Sequence, residues 1–110
     1  MTERLTLAGL SVPMRALRTL AAECGDLPAP TVSLSTVYPE RLELHLHNGL
    51  GEFESWRVAL GIRPDAVEFR GQSTGPWTLM ASANYAGADI LLAAYGHTAA
   101  SSPADGGRDA

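Results

Sequence analysis

The chain has no lysine: all eight of its basic residues are arginine, set against twelve acidic ones for a formal net charge of −4. Such a balance gives no general attraction for nucleic acid, because neutralising phosphates needs a basic face and the mean field here repels them. Alanine, glycine and proline are abundant, so the exclusive use of arginine reads as a mark of GC-rich coding and not of chemistry. Cysteine is nearly missing too. Cys24 stands alone, which excludes the intramolecular disulfide framework of small secreted domains, and its place on an apolar helical stripe suits a small buried hydrophobe. Apolar runs are short. Glu3 and Arg4 precede Leu5, and Pro13 and Arg15 interrupt the apolar residues after it, so neither a signal peptide nor a membrane span is expected and the default location is the cytoplasm. Catalytic patterns are missing as well. None of Ser33, Ser35, Ser73 and Ser82 sits in a glycine elbow, and Glu43, Glu68 and Asp89 would work as acid and base only if the fold gathered them in a cleft. No enzymatic activity and no cofactor is expected on these grounds.

What is present is clear periodicity. At 110 residues, 45% hydrophobic and 18% charged, the sequence suits one globular domain, expected over residues 1–96, with a small and polar C-terminal tail, residues 97–110, expected to be disordered. Leu10, Met14, Leu17, Ala21 and Cys24 recur at steps of four and three, which predicts an amphipathic helix with Ser11 as its N-cap and Gly25 ending it in a left-handed conformation. Leu27, Pro28, Ala29 and Pro30 predict a stiff extended connector. Val32 and Leu34 mark a first strand, Tyr38, Pro39 and Glu40 a turn, and Arg41 to His47 a second strand whose three leucines face one way and whose charged and imidazole side chains face the other. Leu50, Phe53, Trp56 and Leu60 then predict a second helix, with Gly61 as its terminator and Ile62 packing back on the last turn. Val67 to Arg70, Trp77 to Tyr85 and Ala88 to Tyr95 read as three further strands, the last two joined by a tight reversal at Ala86 and Gly87. The expected fold is α+β, in the order α-β-β-α-β-β-β, with an antiparallel sheet of about five strands and two helices.

Three groups of residues suggest sites. His45 and His47, with Glu43 on the same outward strand face, are donor types that can hold zinc, although alternation with leucine is also what an ordinary solvated strand face shows. Arg15 and Arg18 lie three apart on the first helix, but Glu23 and Asp26 dilute any basic patch. The final strand is apolar on both faces, with Leu91, Ala93 and Tyr95 alternating with Ile90, Leu92 and Ala94. If both helices cover one side of the sheet, Leu91, Ala93 and Tyr95 with Met80 form an uncovered apolar area suited to a second copy of the chain or to another protein; if the helices divide between the sides, the area is covered. Both arrangements stay open at the level of the sequence. Tyr38 joins these four as an interaction residue in the hairpin turn.

The Leu27-Pro28-Ala29-Pro30 connector, the Tyr38-Pro39-Glu40 turn and the helix from Glu52 through Phe53, Trp56 and Arg57 to Gly61 resemble segments of short proteins from GC-rich actinobacterial genomes, their phages and integrated elements. The resemblance implies an accessory role beside a regulator or mobile element and no specific activity. The leading expectation is a non-enzymatic interaction module, a homodimer or a binder of another protein through a sheet face or strand edge. The alternative is a small-ligand or nucleic-acid-binding regulator using Tyr38, Arg41, His45 and His47.

Overall fold

Two backbone periods alternate along the chain, and the helical ones land on a single side of the sheet. The computed structural model describes residues 5–71 and 74–98. A 3-10 turn, Leu7–Leu10, runs into helix α1, Ser11–Glu23. Ser11 is thus the first helical residue and not the N-cap, a place taken by Leu10 without a side-chain hydrogen bond. Gly25 does not adopt a positive φ; a Cβ there would come 2.8 Å from the Ala21 carbonyl oxygen, so close approach is what requires glycine. Strands β1, Thr31–Leu34, and β2, Arg41–Leu46, form the expected antiparallel hairpin. Helix α2 spans Leu50–Ala59 and is followed by a 3-10 turn, Pro64–Ala66, and then by β3, Glu68–Gly71, β4, Gly75–Tyr85, and β5, Ala88–Thr98.

The C-terminus of α2 shows how local chemistry sets the chain's path. Gly61 has φ +72°, its N–H bonds to the Val58 carbonyl and the Ile62 N–H to the Arg57 carbonyl, both at 3.0 Å. This is a Schellman cap, and Ile62 is buried as its apolar partner. Arg57 adds a 2.6 Å bond from Nη1 to the Ile62 carbonyl. The β4–β5 reversal has two residues, Ala86 and Gly87, with φ of +52° and +84°, the pattern of a type I′ turn.

The sheet order is β1-β2-β5-β4-β3, and the sheet is mixed. The expectation of a purely antiparallel sheet is corrected at its centre, where β2 and β5 run parallel with Leu42 beside Ile90 and Leu44 beside Leu92. Parallel neighbours need a long crossover. Here α2 and the β3–β4 excursion supply it, allowing the last strand to enter between β2 and β4. As the central strand, β5 turns Ile90, Leu92 and Ala94 toward the helices, while on its other face Ala93 is buried among neighbouring side chains and Leu91 and Tyr95 are half-buried. It also continues through His97 and Thr98, past the expected domain end at residue 96; residues 99–110 of the expected tail lie outside the described residues.

Leu42, Leu44 and Leu46 of β2, Ile90 and Leu92 of β5, Ala16 and Leu20 of α1, and Phe53 and Trp56 of α2 belong to one buried cluster. Both helices therefore pack on the leucine side of the sheet, in a two-layer arrangement. The Trp56 Nε1–H donates to the Pro28 carbonyl at 2.8 Å, pinning the proline connector onto the helix layer. Cys24 is half-buried against the same cluster, as its apolar position implies.

Candidate functional site

With the helices on one side, the other side of the sheet is left with the alternate residues of every strand. The register sets them in rows. Thr31, His45, Ala93, Met80 and Glu68 align across all five strands, and Ser33, Glu43, Leu91 and Ser82 form the next row. Tyr95 lies opposite Thr78, and Arg41 and Asn84 flank Asp89. Met80, Leu91, Ala93 and Tyr95 therefore share one face, while Tyr38 stands at its rim, in the β1–β2 loop.

Ala93 is 0% exposed, although it points away from the helices. Its small side chain is the floor between the larger ones of His45, Met80, Leu91 and Tyr95, so it supports the surface without forming part of its accessible area. Around it runs a polar chain. His45 Nε2 lies 3.1 Å from Glu43 Oε1, and His45 Nδ1 lies 2.8 Å from the Tyr95 hydroxyl. An ionised carboxylate only accepts, so in the neutral imidazole Nε2 carries the proton and Nδ1 accepts from the phenol, an assignment made from the hydrogen-bond network. Burial pushes the Tyr95 pKa up, and the charge of Glu43 adds to it. The phenol thus stays protonated and serves as a donor. The Tyr95 ring stacks on His45, centroids 5.6 Å apart, and on His47 at 5.1 Å. Arg41 Nη1 reaches Glu43 Oε2 at 3.6 Å while its guanidinium carbon sits 4.2 Å from the centroid of Tyr38.

These contacts decide the other site expectations. Both ring nitrogens of His45 are hydrogen-bonded, and among the described residues no three His, Cys, Asp or Glu side chains come together as a metal site. Glu43 and Glu68 stand three strand spacings apart, about 14 Å, and Asp89 accepts from Asn84 Nδ2 at 3.3 Å, so the three acids share no cleft. Ser35 Oγ accepts the N–H groups of Val37 and Tyr38, both at 3.0 Å, and holds the loop; Ser73 lies outside the described residues. Arg15 and Arg18 are exposed on α1, across the sheet from this face.

No protein-family model, no curated protein and no solved structure matches this chain. Among the described residues no helix is long and apolar enough to cross a membrane. A functional reading therefore stands on the geometry of the face.

The Glu43–His45–Tyr95 chain is the feature that periodicity reading misses. It joins residues 50 apart in sequence, and only the parallel pairing of β2 with β5 brings them together. The signal that could have found it is the double-sided apolar pattern of β5, which marks a central strand, combined with the outward histidines of β2.

Proposed function

We propose that this chain is a small non-enzymatic interaction module that self-associates through the side of its sheet that the helices leave open, by face or by strand edge. The observation that carries the reading is one-sided cover: α1 and α2 both pack on the leucine side, and the opposite face presents Met80, Leu91 and Tyr95 over the floor of Ala93. The five strands hold 36 residues, which at about 3.3 Å rise and about 4.8 Å spacing make a face of roughly 570 Å², near the lower end of what one side of a specific interface uses. A second copy is the fitting occupant because the face mixes both charge signs, with Arg41 and Arg70 beside Glu43, Glu68 and Asp89, and so carries no strong field that selects a partner of opposite charge.

The alternative of a small-ligand or nucleic-acid-binding regulator has less support. Arg41 is already engaged by Glu43 and Tyr38, and His45 by Glu43 and Tyr95. An accessory role beside a regulator or mobile element remains part of the proposal. Light scattering over a concentration series tests self-association: the apparent mass should rise from 11.6 kDa toward twice that value. A mass constant at the monomer value refutes the reading.

A further inference from the structure

Strand β4 is 11 residues long, but its outer neighbour β3 has four and pairs only with Trp77 to Met80. Gly75 and Pro76 precede that pairing, and the five residues after it, Ala81 to Tyr85, are paired with β5 on one side and with no strand on the other among the described residues. Among the described residues none of the backbone bonds outside regular elements reaches this stretch, and Ala66 adjoins Ala81 and Ser82 only across a shallow hollow. In an antiparallel ladder every second residue directs its N–H and C=O outward, so the stretch presents a row of unused main-chain donors and acceptors.

The other sheet edges are protected. Strand β3 carries Glu68 and Arg70, a common guard against added strands. Strand β1 has only four residues and follows Pro30, which has no N–H to offer. The β5 stretch that outruns β2 is flanked by the chain leaving β2, whose His47 stacks on Tyr95. Ala81 to Tyr85 has neither charge nor proline, and its first four side chains are small or short. Two shallow hollows adjoin it, one lined by Ala66, Glu68, Met80 and Ser82, the other by Arg41, Ser82, Asn84 and Asp89.

Resting on the self-association reading, we propose that the seam between two copies is this stretch of β4, paired antiparallel with itself about a two-fold axis at Ala83. Ser82 then faces Asn84 of the second copy and Ala81 faces its Tyr85, so no like charges meet and the hydroxyl and amide can hydrogen-bond across the seam. The turn at Ala86 and Gly87 of one copy ends where Glu68 of the other begins, which limits the pairing to the five free residues. The two sheets merge into one of ten strands, and the open faces become continuous.

The test uses light scattering of the full chain over a concentration series, with circular dichroism to check folding. Ser82 and Asn84 are not core residues, so changes there spare the buried cluster. The double variant S82K/N84K places lysine opposite lysine and should lose the dimer at concentrations where the wild type has formed it, whereas S82K/N84E places lysine opposite glutamate and should restore it. Cys24→Ser with Ala83→Cys should cross-link under oxidation, because directly opposed strand residues have the Cα separation that a disulfide needs. A wild-type dimer that survives S82K/N84K and is lost on Tyr95→Asp would overturn the seam and leave the open face as the interface. A wild type that stays monomeric would overturn both.

Discussion

Replacing Trp56 with alanine should cost more stability than any other single change in the helix layer. The indole is buried in the cluster of Leu20, Leu44 and Phe53, and its Nε1–H holds the Pro28 carbonyl at 2.8 Å. Truncating a buried tryptophan loses transfer free energy and leaves a cavity, together about 3–5 kcal/mol. The lost hydrogen bond belongs to the same removal, and its share is about 1 kcal/mol. Against the total of about 5–15 kcal/mol that holds a small domain, a loss of about 4 kcal/mol is severe. At about 4–8 °C per kcal/mol, the midpoint of thermal unfolding should fall by about 15–30 °C. Trp56→Phe separates the two contributions, since it keeps most of the ring and removes only the donor; a fall of about 5–15 °C is expected, corresponding to about 1–2 kcal/mol. Calorimetry or urea denaturation followed by circular dichroism reads both variants. If Trp56→Ala unfolds within about 5 °C of the wild type, the connector and α2 do not depend on the indole and the packing argument is wrong.

Two further outcomes are expected at particular residues. Ala86 has φ +52°, a conformation that costs an L-residue about 1–2 kcal/mol, so Ala86→Asn should stabilise the turn by roughly 1 kcal/mol in urea denaturation, and an unchanged or lower midpoint would count against the type I′ geometry. The Tyr85 hydroxyl donates to Glu23, and this bond, with burial and the carboxylate charge, pushes its pKa up to about 12 from an ordinary value near 10. A raised folded-state value means that the neutral phenol is favoured by folding. The contribution is complete below pH 10 and is lost as pH rises through about 12, so Tyr85→Phe should remove the highest phenolate step in an ultraviolet titration and the stability loss between those values.

Much of the architecture is legible in the sequence because it is written in local period. The alternation from Arg41 to His47 identifies β2 and its buried leucines, and Gly61 with Ile62 marks the cap of α2. Strand direction is different in kind. The hydrophobic pattern of β5 marks a strand with neighbours on both edges and is the same whether they run parallel or antiparallel, so the parallel β2–β5 pair escapes a reading of pattern. The side chosen by α1 is equally hidden, since its apolar stripe fits either face. At the candidate site, Met80, Leu91, Ala93 and Tyr95 can be assigned to one face from alternation alone. That Ala93 is the floor of that face, and that His45 bonds to Tyr95, depends on which strands are neighbours. The free stretch of β4 arises from a mismatch of strand lengths, which becomes visible only once β3 is known to stop at Gly71.

The parallel pairing at the centre of the sheet also determines the order in which the protein can be made. During synthesis the β1–β2 hairpin can close as soon as it is released, because its partners are near in sequence. Leu42, Leu44 and Leu46 must then wait for Ile90, Leu92 and Ala94, almost half the chain later, before the second edge of β2 is satisfied. Until the ribosome releases β5, the nascent chain carries a leucine-rich strand with an open edge, and the β4–β5 hairpin must enter as a unit to close it. Exposure of this leucine-rich strand is thus a property of the unfinished chain, and truncation before Ala94 would leave the emerging chain dependent on holding factors or prone to aggregate.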